Sequence, residues 1–146
     1  MQWSDDPGGG FSSASRPVRP VVSDPIYGYQ RVNVQSLRRD PQSLLNWIER
    51  KIRMRRECPE ISWGDWQILE TDQSGVLVMK YRWDSRELIT FHNFTSRPRA
   101  VRLDRRTAGS VLLVDLLARN DSQADEAGRH VVQLQPYDYR WMRVSV

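Results

Sequence analysis

The chain changes its hydrophobic period once, and that change constrains the fold more than any other feature. From residue 66 onward apolar side chains recur at every second position. The runs are short: "WQILE", "GVLVMKYRW", "ELITFHNF", "AVRL", "VLLVDLL", "HVVQLQ" and "YRWMRV". Each is rich in β-branched, aromatic or leucine residues, as half-buried strands are. Turn signals separate them at Asp72-Gln73-Ser74-Gly75, Asp84-Ser85-Arg86, Ser96-Arg97-Pro98 and Ala108-Gly109. About seven strands at this spacing predict an antiparallel sandwich or barrel. The acidic stretch "NDSQADEAG" reads as a surface loop.

Upstream the period is helical. In "DPQSLLNWIERKIRMRR" the residues Leu44, Leu45, Ile48 and Ile52 make an apolar stripe that Trp47 widens. Asp40 suits the N-cap and Pro41 the first helical position. Glu49 can pair with Arg53 one turn on. Arg53, Arg55 and Arg56 complement the negative end of the helix dipole, and Pro59 forbids continuation. This is the one strong helix that the pattern predicts.

Residues 1–39 show no sustained period. Pro7, Gly8 to Gly10, Pro17, Pro20 and Pro25 punctuate them. The aromatic-rich "DPIYGYQRVNV" is unlike a flexible linker. It reads as an ordered, extended excursion in which Tyr27 and Tyr29 pack on another surface. The expected fold is therefore mainly β: an antiparallel β-sandwich preceded by an extended loop and one amphipathic helix.

Composition narrows the function classes. The 146 residues include six Trp, five Tyr and three Phe, with 39% hydrophobic residues, so the chain has material for a core. The net charge of +4 permits nucleic-acid binding without arguing for it. The cluster Arg50, Lys51, Arg53, Arg55 and Arg56 reads better as a solvated helix face, because no nucleic-acid motif accompanies it. A single cysteine, Cys58, excludes an intrachain disulfide and fits a reducing cytoplasm; it is expected to be buried and inert. No apolar run is long enough to span a membrane, and no apolar leader follows Met1. The Asn93-Phe94-Thr95 sequon carries no meaning in a cytoplasmic chain.

Chemistry is sparse. Acid–base hydrolysis needs two oriented carboxylates, and Asp5 and Asp6 stand side by side in a glycine-rich loop with nothing to orient them. No phosphate loop, nucleophile elbow or metal-ligand spacing is present, so neither cofactor nor metal is expected. Eleven Trp and Tyr residues leave a carbohydrate-binding module open, since sugars stack on exposed rings. Trp63, Trp66, Trp83 and Trp141, however, sit at strand or junction positions where aromatics commonly pack.

An ordered series of segments carries a resemblance. "MQWSDDPGGGFS", "DPIYGYQRVNV", "DPQSLLNWIERKIRMRRECPEISWGDWQIL" and "LQPYDYRWMRV" resemble the C-terminal end of trehalose synthase and related α-amylase-superfamily enzymes of glycoside hydrolase family thirteen. The series spans essentially the whole chain. The resemblance implies that residues 1–57 are the end of a (β/α)8 catalytic barrel, comprising the loop after its last strand and its last helix. Residues 58–146 are then the C-terminal β-sandwich. It implies that the catalytic carboxylates lie on barrel strands upstream, so that Met1 is internal to a longer reading frame and this chain alone is inactive. A barrel of this kind takes roughly 250 residues. Gln2, Trp3 and Asp5 are the expected substrate-rim residues, because the loop after a barrel strand lies at the active-site end. The partners implied are the catalytic barrel and α-glucosides such as maltose or trehalose. Self-association through Leu44, Leu45, Ile48 and Ile52 is also expected. The alternative is a free-standing carbohydrate-binding or interaction module.

Overall fold

A computed structural model describes residues 2–14, 16–104, 112–118 and 120–145. The chain forms two compact units, Met1–Met54 and Arg55–Val146. The first holds a 3₁₀ turn (Pro7–Gly10), helix α1 (Val34–Arg39) and most of helix α2 (Leu44–Arg56). Among the described residues the second holds a short helix α3 (Pro59–Trp63) and eight strands. These are β1 (Asp65–Leu69), β2 (Val76–Trp83), β3 (Arg86–Asn93), β4 (Arg99–Asp104), β5 (Leu112–Asp115), β6 (Ser122–Gln123), β7 (Arg129–Leu134) and β8 (Tyr139–Val144).

The mainly antiparallel β architecture is as the period-two runs predict. Six strands form one sheet in the order β1-β2-β3-β8-β5-β6, and β4 pairs with β7 in a second. Every pairing among the described residues is antiparallel. The hairpin between β2 and β3 turns at Asp84-Ser85, with Asp84 at φ 54°, a conformation that aspartate tolerates better than most residues. The Ala108-Gly109 turn signal lies outside the described residues. The acidic stretch differs from the expected loop: Ser122 and Gln123 pair with Leu113 and Leu112 as β6. Two residues are too few to show a period.

Register explains the core. Strand side chains alternate between faces, so Val78, Ile89, Phe91, Leu113, Met142 and Val144 share the inner face of the large sheet. They pack against Val101, Leu103, Val132 and Leu134 of the β4–β7 pair in one cluster. Each such side chain removed from water contributes about 1.5–3 kcal/mol. On the outer face Leu88 and Thr90 are also buried. Helix α3 brings Cys58 and Glu60, both buried, to this region, where Glu60 Oε1 accepts from Arg143 Nε at 2.9 Å. Gly64 ends α3 tightly: a Cβ there would sit 2.5 Å from the Arg82 carbonyl oxygen.

The helical segment departs from expectation at its start. Asp40 does not cap α2. Its side chain accepts from Gln42 N at 2.9 Å and its carbonyl from Ser43 N at 3.0 Å, closing a turn. Ser43 takes the capping role: its carbonyl accepts from Trp47 N at 2.9 Å and its hydroxyl from Asn46 N at 3.2 Å. Ser43 stands three residues after Asp40, directly before the apolar stripe, and the helix starts there. The helix is also not alone, because α1 and α3 flank it. Both are short and show no readable period. The Glu49–Arg53 pair forms at 3.0 Å, largely in solvent, and contributes little.

Candidate functional site

The loop that carries the expected rim residues is closed by its own backbone. Trp3 N donates to Gly9 O at 2.8 Å, and Gly9 N donates to Asp6 O at 2.8 Å. Gly10 has φ +72°, and a Cβ on it would meet Ser4 Oγ at 2.7 Å, so the loop requires glycine there. The carbonyls of Gln2 and Trp3 then accept from Val34 N and Gln35 N at 2.9 and 3.0 Å. These two bonds satisfy amides at the start of α1 that no helical carbonyl reaches. Asn33 caps the same helix: its Oδ1 accepts from Ser36 N and its Nδ2 donates to Tyr29 O.

The three rim residues therefore have different surroundings. Gln2 is buried, and its Nε2 donates to Tyr27 O at 3.4 Å. Trp3 presents an exposed ring, and Asp5 is exposed. The neighbouring Asp6 is the carboxylate that the loop engages, through Ser4 Oγ at 2.8 Å. Two adjacent carboxylates in a sequence cannot be told apart, and only the closed loop separates them.

The "YGYQRVNV" stretch is not the extended excursion that its aromatics imply. Asp24 Oδ1 accepts from Ile26 N and Tyr27 N, and Gly28, Arg31 and Val32 continue through turns into α1. The Tyr27 and Ile26 amides hold the Asp24 carboxyl below its usual range. Tyr29 is half-buried, whereas Tyr27 is exposed. An Asx turn outcompetes extension here because aspartate offers its own backbone a nearby acceptor.

The tryptophans of the second unit also differ from expectation. Trp63, Trp66 and Trp83 are exposed, at 78%, 62% and 38%, and only Trp141 is half-buried. Cys58 is buried, and burial pushes its thiol above the ordinary value, against the pull of Arg143. A thiol held in that form is a poor nucleophile, in line with the inert reading. Among the described residues no cluster of three or more His, Cys, Asp or Glu is placed to hold a metal ion. Among them, too, no helix is long and apolar enough to cross a membrane.

The sequence suggested no role for Asn93 beyond the sequon. Its Nδ2 donates to Arg97 O and Gln135 O, each at 2.8 Å, and its Oδ1 accepts from Thr95 N and Thr95 Oγ1. Asn93 is buried, so it joins loops rather than carrying chemistry.

A six-stranded antiparallel sheet packed on a strand pair defines a β-sandwich. Residues 86–143 match the family described as the sucrose hydrolase-like C-terminal domain. Among individual proteins, the chain is 29% identical to the trehalose synthase of Pimelobacter sp. strain R48 over 99% of its own length and 26% of that protein's. It is likewise 29% identical to the trehalose synthase/amylase TreS of Mycobacterium tuberculosis, over 99% of this chain and 25% of the relative. A crystal structure of a MutB variant in complex with sucrose superposes with a TM-score of 0.71 at 23% identity, covering 99% of this chain and 25% of that one. AmyP in complex with maltose superposes at 0.63 and 20% identity, covering 69% and 20%. These two likenesses speak for the fold. The chain spans about a quarter of the length of the trehalose synthases it matches. The resemblance carried by the ordered segments and the similarity to about a quarter of each trehalose synthase thus agree.

Proposed function

We propose that the chain is the C-terminal accessory part of a trehalose-synthase-like enzyme of maltose, trehalose and α-glucan metabolism. One observation carries this reading: 99% of the chain aligns with trehalose synthases whose remaining three quarters it does not span. Residues 1–57 are the end of the catalytic barrel and residues 58–146 the sandwich. The catalytic carboxylates belong to the barrel, so residues 1–146 supply structure. Gln2, Trp3 and Asp5 lie at the substrate rim. Within that loop the division of labour follows from burial. Gln2 anchors the loop, while the Trp3 ring and the Asp5 carboxylate are accessible to an α-glucoside. The enzyme acts in the cytoplasm on maltose or trehalose. A free-standing binding module accounts less well for a match that runs over 99% of the chain and falls within enzymes.

Two incubations with maltose test the reading, followed by chromatography for trehalose and glucose. The isolated chain yields neither product. A graft in which the chain replaces the matching quarter of the Pimelobacter enzyme yields trehalose. Turnover by the isolated chain, or a well-folded graft with none, overturns the proposal.

A further inference from the structure

We infer that the cleft between β6 and β7 is a binding site for a neutral saccharide of one or two rings. The cleft lies within the second unit, and its chemistry does not depend on the parent-enzyme reading. It opens where two sheet edges meet. Strand β6 ends the order of the large sheet, and among the described residues β7 pairs with β4 alone. Such edges carry peptide donors and acceptors outside the ladder. The segment leading into β6 contributes Asn120, Asp121 and Ser122 to the lining. Gln133 and Gln135 come from β7 and the turn after it, and Arg140 from β8. The cleft encloses about 310 Å³, at the lower end of the range for small-molecule sites.

Bonds beneath the lining hold it in place. Asp121 Oδ1 accepts from Asp115 N at 2.8 Å, and Ser122 Oγ lies 3.1 Å from the buried His130 Nδ1. Gln135 N donates to Asp138 Oδ2 at 3.2 Å, and its carbonyl accepts from Asn93 Nδ2 at 2.8 Å. The side chains of Gln133 and Gln135 stand on that braced backbone and are exposed. Sites held in this way lose little freedom when a ligand enters.

The mixture of groups selects the ligand. Each carboxamide of Asn120, Gln133 and Gln135 sets a donor beside an acceptor, and neighbouring sugar hydroxyls both donate and accept. Val132 and Met142, both buried, add apolar surface to the same lining, which suits the C–H face of a pyranose. Charge argues against an anion. Arg140 is the one cation among the described residues of the lining, and its guanidinium is answered already. Its Nη1 lies 3.3 Å from the wholly buried Asp115 carboxylate, and its Nη2 lies 3.1 Å from Asp138 Oδ2. Asp121 adds a further carboxylate at the exposed edge. A phosphate entering here meets more negative than positive charge.

The test titrates the isotope-labelled full chain with maltose and follows the side-chain amide resonances by NMR. Those of Gln133 and Gln135 shift saturably. Glucose 6-phosphate, with its dianionic group, binds at least about tenfold more weakly than maltose does. Gln133→Leu with Gln135→Leu weakens maltose binding at least about tenfold, as the loss of two neutral hydrogen bonds requires. The urea midpoint of this variant holds, because both side chains face water. Gln133→Glu keeps the shape but loses the donor, weakens binding in the same direction, and stands in if the double variant aggregates. Resonances of Gln133 and Gln135 that ignore maltose overturn the site. So does a folded double variant that binds as the wild type does. A tighter grip on glucose 6-phosphate than on maltose overturns the neutral class. Loss of binding on Trp3→Ala, with the two glutamine amides unmoved, places the sugar on the N-terminal loop and overturns the cleft as well.

Discussion

Arg143 reaches Glu60 across 83 positions of sequence. Its Nε donates to Glu60 Oε1 at 2.9 Å and its Nη2 to Oε2 at 3.3 Å. The Glu60 side chain is wholly buried, and Arg143 retains 32% exposure. The same Nη2 donates to Glu57 O at 3.3 Å. One guanidinium thus ties the segment around α3 to the last strand of the sheet. A fork of donors matches a carboxylate better than a lysine ammonium can.

Removing one partner strands the other. Arg143→Met leaves a buried carboxylate without its cation and is expected to cost about 3 kcal/mol in a urea unfolding series. Glu60→Leu together with Arg143→Met should return to within about 1 kcal/mol of the wild type, because both charges go at once. A cost of less than about 1 kcal/mol for Arg143→Met alone would show that the Glu60 carboxylate does not depend on its cation.

Asn93 is the hub of the loops beside β3. Alanine there removes the donor to Arg97 O and Gln135 O and leaves Thr95 N without its acceptor, while Arg97 O keeps Thr95 Oγ1 and Gln135 O keeps Asp138 N, and it is expected to cost about 2 kcal/mol. Asn93→Asp is the sharper probe. At neutral pH a carboxylate accepts but cannot donate, so it faces two carbonyl oxygens with like polarity. It should cost at least as much as alanine at pH 7 despite its matching shape. Equal urea midpoints for Asn93→Asp and the wild type would rule out the donor role.

The sandwich was legible in the sequence because its strands are long enough to alternate. "GVLVMKYRW" and "HVVQLQ" each mark inner-face residues, Val78 in one and Val132 with Leu134 in the other, and these are core positions. The elements missed were those with no period to read. Serine and glutamine at 122–123 form two ladder rungs, and Pro59–Trp63 makes little more than one helical turn. Tryptophan misled because its area argues for burial while nothing local reveals which face of a strand is covered. Trp66 and Trp83 lie on the outer face, where Leu88 and Thr90 are covered and these two rings are not. The candidate rim loop was legible as a loop from Pro7 and its glycines. The division between buried Gln2 and exposed Trp3 was not, because it depends on the contacts of Gln2 with Tyr27 and Val34, far along the chain.

Acid should reveal Glu87. Desolvation pushes its carboxyl upward, but hydrogen bonds from Lys80 and Arg82, and their charges, outweigh it, so the folded value lies below the ordinary one. The unfolded chain therefore takes up the proton first as pH falls. The stabilisation from Glu87 is complete above the ordinary carboxylate value and is lost as pH drops through the folded value. Glu87→Gln removes this contribution. The wild type should lose more stability between pH 7 and pH 3 than the variant does, by urea midpoints at each pH. Parallel pH profiles would mean that Lys80 and Arg82 do not favour the ionised carboxylate.

The α2 stripe supplies the last prediction. Leu44, Ile48 and Ile52 are exposed, at 68%, 42% and 55%, and Leu45 is half-buried. Trp47 is exposed as well, with the Lys51 ammonium 5.6 Å from its ring centroid. A helix of 13 residues gains most of its stability from packing an amphipathic face, so this face calls for a cover. Without the barrel, a second copy is the available one. The chain is therefore expected to self-associate at high concentration. Ile48→Glu with Ile52→Glu should make it more monomeric in sedimentation velocity. The melting temperature measured in dilute solution should hold, because charges placed in water carry no burial penalty. If those glutamates instead collapse the fold, the stripe is packed within the chain in solution. A wild type that stays monomeric at high concentration and a variant that melts unchanged would together remove self-association from the account.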